Sequence, residues 1–163
     1  MRKGRSAQIL FWMSAVSVFA ADQLAKWLVF RSTAPSHEYR VVPGIVFRIA
    51  PVVNTGVAWG LLGKWPQVVL ILGLCAAALV LYYFYRHSAN SRLEACVMGM
   101  LLGAAAGNMT DRLLAGHVRD YLDFTLFGFS WPTFNLADTF LCLGAGILLI
   151  LLIMGGREKP QKA

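Results

Sequence analysis

The chain has 163 residues, of which 58% are apolar and only 14% charged. Soluble domains carry roughly 45–50% apolar and about 25% charged residues, so this double departure excludes a disordered chain, a nucleic-acid tail and an ordinary cytosolic enzyme. The formal net charge is +7. The bases flank apolar runs instead of gathering on one face, which points to membrane orientation and not to nucleic acid. Cys75, Cys96 and Cys142 all lie inside apolar runs, so no disulfide framework is expected.

A spanning helix needs about 20 mostly apolar residues. Four segments qualify within a single integral-membrane domain, 1–163: residues 9–30, 68–85, 93–112 and 134–154. A basic start, an apolar run and Val18-Phe19-Ala20 also resemble a cleavable leader. Against that, apolar character resumes at Trp27-Leu28-Val29-Phe30, so the first span is expected to be retained. Arg2, Lys3 and Arg5, then Arg86 and Arg92, then Arg157, Lys159 and Lys162 fall on one side of the bilayer. On the other side, Asp22, Glu38, Asp111, Asp120, Asp123 and Asp138 nearly cancel the bases. The short basic flanks therefore predict a multi-pass chain with both termini cytoplasmic. Trp27, Trp59, Trp65 and Trp131 would mark the outer interface; Trp12, Tyr82, Tyr83 and Tyr85 would mark the inner one.

Two outer segments, 31–67 and 113–133, are too apolar for linkers. Tyr39–Val42 and Ile45–Ile49 flank Pro43-Gly44, the signature of a type II turn. A mainly α membrane fold with a small periplasmic hairpin or sheet lying on the membrane surface is expected, with Pro51 ending regular pairing. The stretch Phe124–Trp131 reads as a strand or an interfacial lip. Gly99, Gly103 and Gly107 recur every four residues and let a neighbouring helix backbone approach closely, which predicts a central third helix.

A carboxylate at mid-bilayer costs about 2.5–3.5 kcal/mol, and less near a helix end. Asp22 falls late in an outward-going span, Asp111 ends another, and Asp138 lies roughly 6–9 Å into an inward-going one. All three lie towards one leaflet, together with Asn54, Asn108 and Asn135, with Asp120 just beyond. Helical spacing agrees: Asn108, Asp111 and Arg112 share a face, as do Asn135 and Asp138, and Asp22 and Lys26. This predicts one polar pocket, with Asp22–Lys26 and Asp111–Arg112 as structural ion pairs.

The chemistry available to such a pocket is narrow. No HExxH spacing exists, so no metal and no cofactor are expected. Ser14 and Ser17 lie about 13–18 Å along the helix from Lys26, the only candidate base for a Ser–Lys dyad. Two aspartates sharing a proton can divide peptide hydrolysis, one taking a proton from water and the other donating to the carbonyl oxygen. Asp138 with Asp120 or Asp123 would serve. A four-helix proton-coupled small-molecule transporter is the alternative, but it calls for an acid near the midplane that is reachable from both sides.

Five motifs in order carry a resemblance: Asp22-Gln23-Leu24-Ala25-Lys26; Asn54-Thr55-Gly56-Val57-Ala58-Trp59-Gly60; Gly107-Asn108-Met109-Thr110-Asp111-Arg112; Gly116-His117-Val118-Arg119-Asp120-Tyr121; and Phe134-Asn135-Leu136-Ala137-Asp138. Together with the four spans, they resemble the lipoprotein signal peptidases (signal peptidase II) of bacterial inner membranes. The resemblance implies that Asp120 and Asp138 are the catalytic pair of an intramembrane aspartic endopeptidase, a hydrolase. It assigns Asp22, Lys26, Asn54, Gly56, Asn108, Asp111, Arg112 and Asn135 to the pocket and to the substrate backbone. Val57 and Arg119 depart from the family's usual alanine and its frequent apolar residue. The implied substrates are diacylglyceryl-modified prolipoproteins in the phospholipid bilayer, cut before the lipidated lipobox cysteine at the periplasmic leaflet. A monomer is expected.

Overall fold

The computed structural model describes residues 4–31, 37–57, 61–86 and 91–156. Arg2, Lys3, Trp59, Arg157, Lys159 and Lys162, which carry part of the orientation reading, lie outside the described residues. Four helices are long and apolar enough to cross a membrane: α1 (Arg5–Arg31), α2 (Pro66–Arg86), α3 (Arg92–Ala115) and α4 (Leu136–Gly156). Between them run β1 (His37–Val42), β2 (Ile45–Asn54), β3 (Val118–Leu126) and β4 (Phe129–Phe134). They form one antiparallel sheet in the order β1-β2-β3-β4 at one end of the bundle. Arg5 and Gly156 lie at the other end. The expected combination of four spanning helices and a small sheet is thus what the chain forms.

The glycine stripe works as the spacing requires. A Cβ at Gly99 or Gly103 would collide with the carbonyl of Phe11 or Ala15, and one at Gly107 with the carboxylate of Asp22. α1 therefore lies directly on the backbone of α3, where van der Waals contact must supply most of the attraction, lipid being as apolar as the side chains. α3 also packs against α2 and α4, and its face is the most buried of the four. Away from the sheet, Phe11 stacks on Phe84 with centroids 3.8 Å apart over Ala95 and Met98. Nearer the sheet, Val18 and Ala104 meet Ala137. Apolar side chains such as Val16, Ile71, Leu79 and Ile150 point outward, as a lipid-facing surface requires.

Several boundaries differ from expectation for local reasons. α3 runs past Arg112 to Ala115, where Gly116 takes φ 77° and returns its N–H to the Arg112 carbonyl. α4 begins at Leu136 because Phe134 closes β4 and Asn135 caps the helix. Pro51 does not end pairing: the β2–β3 register shifts between Ile49 and Val52, and pairing resumes with Val52 opposite Asp120. This bulge absorbs the missing N–H and carries β2 on to Asn54. The Phe124–Trp131 stretch is the end of β3, the Phe127-Gly128 turn and the start of β4. Gly44, at φ 86° in the Pro43-Gly44 turn, accepts from the Phe127 N–H at 2.6 Å, and a side chain there would meet the Phe127 ring.

Candidate active site

The first turn of α4 anchors the site. The Asn135 side-chain oxygen accepts the Asp138 N–H at 3.0 Å, and the Asn135 N–H donates to Asp138 Oδ2 at 3.1 Å. This reciprocal pair has the geometry of a capping box, with Asp at the third helical position. Asp22, from α1, accepts the neighbouring first-turn amide, Ala137 N, at 3.0 Å in a buried hydrogen bond. Two carboxylates thus sit at a helix N-terminus, where the helix dipole favours negative charge.

Asp120 reaches the same point from β3. Its side chain is fully buried, accepting from Asn54 Nδ2 at 2.8 Å and from Asn135 Nδ2 at 2.7 Å. Asn108, on α3, donates to Asp138 Oδ1 at 2.7 Å, while its own oxygen accepts from Lys26 Nζ and Asn135 Nδ2, both at 3.0 Å. Each of the two aspartates is therefore held by amide donors, and among the described residues no basic side chain is bonded to either. Burial pushes Asp120 up to about 6, against the lowering effect of the Asn54 bond; the Asp138 charge raises it further.

Behind the pair lies an ion cluster. Lys26 Nζ, fully buried, meets Asp22 at 2.8 Å, Asp111 at 3.2 Å and Asn108, which uses its three donors. The expected Asp22–Lys26 bridge is present. The expected Asp111–Arg112 pair is not: Asp111 bonds Lys26 and Arg119, with Arg119 Nη2 at 2.6 Å. Neighbouring residues on a helix point in different directions, and Arg112 instead donates to the carbonyls of Gly56, at 2.9 Å, and Asn108, at 3.3 Å. That bond ties the Asn54–Gly56 turn, itself closed by Gly56 N–H on Asn54 Oδ1, to α3. Asp123 faces away from the pair, 3.4 Å from Arg48 and partly exposed.

Asp120, Asp138, Asn54, Asn108 and Arg112 line a cavity of about 690 Å3 between α2, α3 and α4. Its remaining wall is largely apolar and includes Val57, Val69, Leu72, Met109, Leu141 and Trp131. An extended or partly helical apolar chain would fit such a cleft, with the carboxylates at its polar end.

Three residues to which the sequence alone assigns no role complete the site. Gln23 bridges Asp111, the Gly107 carbonyl and Arg119; Arg119 secures Asp111; and Tyr121 is buried behind the α4 N-terminus, its phenol pushed up to about 12 by burial and the Asp22 charge. Gln23 carried a signal, as a third polar residue beside Asp22 and Lys26 in an apolar helix.

Fold and site together define an integral-membrane protein with two carboxylates brought together at one end of its helical bundle. The family model described as "Signal peptidase (SPase) II" matches residues 14–154. The chain is 32% identical to the lipoprotein signal peptidase of Bacillus subtilis (strain 168), over 94% of this chain and 100% of that one. It is 30% identical to that of Bacillus pumilus (strain SAFR-032), over 94% and 98% respectively. A solved bacterial membrane enzyme, determined by the in meso method at 2.3 Å, superposes with a TM-score of 0.81 at 27% identity, over 99% of this chain and 96% of that one. A second, at 1.9 Å, gives 0.74 at 28% identity, over 93% and 95%. The chain belongs to the signal peptidase II family and is a multi-pass bacterial membrane peptidase. The transporter alternative receives no support, and the acids cluster at one end of the helices.

Proposed function

We propose that the chain is an aspartic endopeptidase that removes signal peptides from diacylglyceryl-modified prolipoproteins, with Asp120 and Asp138 as its catalytic pair. The observation that carries this reading is the convergence of two amide-held carboxylates, from β3 and α4, on one apolar cleft. In the signal peptidase II family, substrate cleavage falls before the lipidated cysteine; lipid chains keep that bond near the interface, at the depth of the α4 N-terminus.

The pair enters the reaction sharing one proton. The ionised carboxylate takes a proton from water as the water oxygen bonds to the scissile carbon, and the protonated carboxylic acid gives its proton to the carbonyl oxygen. The tetrahedral diol then collapses: the C–N bond breaks, its electron pair leaves on nitrogen, and nitrogen takes the proton first removed from water. The other carboxylate recovers a proton from the diol, restoring the starting state. Asn54, Asn108 and Asn135 fix both carboxylates, and Arg112 holds the Gly56 turn beside the cleft. Lys26, Asp22 and Asp111 support them from behind.

In this reading the enzyme acts as a monomer in the inner membrane, termini in the cytoplasm and sheet at the periplasmic leaflet. Purified protein should cleave a diacylated lipobox peptide before its cysteine, and EDTA should leave the rate unchanged. Loss of activity on chelation would overturn the metal-free mechanism. In cells, a membrane-impermeant thiol reagent added from the periplasm should label Ser130→Cys and spare Leu93→Cys in a background lacking the native cysteines.

A further inference from the structure

The ion cluster behind the carboxylates is balanced by a residue one step along β3 from Asp120. Successive strand residues point to opposite faces, so Arg119 turns away from the cleft. Its main-chain N–H donates to Asp111 Oδ2 at 3.0 Å, its Nη2 and Nε reach Asp111 Oδ1 at 2.6 and 3.2 Å, and Nη2 also meets Gln23 Oε1 at 2.8 Å. Asp111 is fully buried, and the Arg119 side chain is 26% exposed. Asp22 and Asp111 supply two negative charges; Lys26 and Arg119 supply two positive ones. Without Arg119, Lys26 alone would face two buried carboxylates, and a buried charge left uncompensated is costly. Lys26 would then be drawn from Asn108, whose oxygen it holds at 3.0 Å and whose amide meets Asp138.

We propose that Arg119 is a positioning residue for peptide hydrolysis: it neutralises Asp111, so that Lys26 orients Asn108 towards Asp138, and it clamps β3 so that Asp120 meets Asn135. The proposal rests on the reading of Asp120 and Asp138 as the catalytic pair. Among the described residues, the charged and titratable groups around that pair are Asp22 and Lys26 from α1, Asp111 and Arg112 from α3, and Arg119 and Tyr121 from β3. With one proton on the pair, the three cations balance the four carboxylates; removing Arg119 leaves one excess negative charge, which holds the shared proton more tightly.

The test is cleavage of a diacylated lipobox peptide by Arg119→Gln, Arg119→Lys, Arg119→Gln/Asp111→Asn and Asp120→Asn, with kcat and KM measured across pH and melting recorded in detergent. Arg119→Gln should lower kcat roughly 10–100-fold, change KM less than about 2-fold, and move the basic limb up by about 0.5–1 pH unit. Arg119→Lys should keep the native basic limb. The double variant, neutral again, should regain part of the lost kcat. If Arg119→Gln does not fold, Arg119→Lys and the double variant decide: native-like limbs in both support the proposal, and a shifted limb in either overturns it. A native profile in Arg119→Gln, with Asp120→Asn inactive, overturns the role of Arg119 alone. Cleavage retained in Asp120→Asn overturns the catalytic pair and this proposal with it.

Discussion

Asn135 and Asp138 bond each other twice, side chain to backbone in both directions, at 3.0 and 3.1 Å. The same Asn135 amide donates to Asp120 at 2.7 Å. One residue therefore starts α4, fixes one carboxylate through its main chain and holds the other through its side chain. Helix capping and site assembly are a single arrangement.

Asn135→Ala should accordingly hurt both. Loss of the cap costs about 1 kcal/mol, and a buried Asp120 deprived of a donor adds to that. Cleavage should fall at least about 100-fold, since the carboxylates lose their common support. Melting temperature and kcat, measured on the same preparation, check this; a stable variant with full activity would show that the shared amide is incidental.

Asp120 gives a pH dependence of definite sign. Its folded value, about 6, lies above the ordinary 3.8. The folded chain then binds a proton more tightly, so this group's contribution is fully present below 3.8 and is lost as pH rises through 6. Wild-type melting should fall between pH 4 and 7 more steeply than that of Asp120→Asn, which has no such proton to lose. The kcat/KM of the wild type should likewise decline as pH rises through the upper value of the pair. Parallel melting curves for the two proteins would show that Asp120 titrates normally.

The sequence revealed the spans and the level of the polar pocket because charge inside apolar runs is costly, and each such residue stands out. Asp22, Lys26, Asn108, Asp111, Asn135 and Asp138 were legible for that reason. Which partner each one takes was not. Asp111 bonds Arg119 across the Gly116 turn, not its neighbour Arg112, because partner choice depends on how β3 folds back. The joining of the two outer segments through β2–β3 pairing was equally hidden: it needs long-range register, and the bulge after Ile49 lets Pro51 sit inside a strand usually closed to it.

The α1–α3 contact admits a direct packing test. Gly103→Leu places a side chain against the Ala15 carbonyl and should cost about 1–3 kcal/mol or more. By contrast, nothing lies within 4 Å of a Cβ at Gly146. Gly146→Ala should be neutral or stabilise by up to about 1 kcal/mol through helix propensity. Equal melting temperatures for the two variants would mean that the glycine stripe does not set the helix spacing.

The sharpest prediction separates three aspartates on neighbouring elements. Asp120 and Asp138 face one cleft and share Asn135, whereas Asp123 lies beyond, paired with Arg48 at 3.4 Å. One carboxylate cannot act as base and acid in the same step, so both members of the pair are needed. Asn is nearly isosteric with Asp, so Asp120→Asn and Asp138→Asn should fold and insert. Each should lose cleavage of a diacylated substrate by at least about 10²–10⁴-fold. Asp123→Asn gives up only a partly exposed ion pair, worth about 0–1 kcal/mol, and should keep most of its activity. Asp111→Asn should lose stability as well as rate, because Lys26 and Arg119 would share one fewer buried charge. Rates at matched expression, with melting measured alongside, distinguish these cases. Full activity in Asp120→Asn, or inactivation by Asp123→Asn alone, would mean that a different pair carries the reaction; full activity in Asp138→Asn would leave the α4 carboxylate with only its capping role.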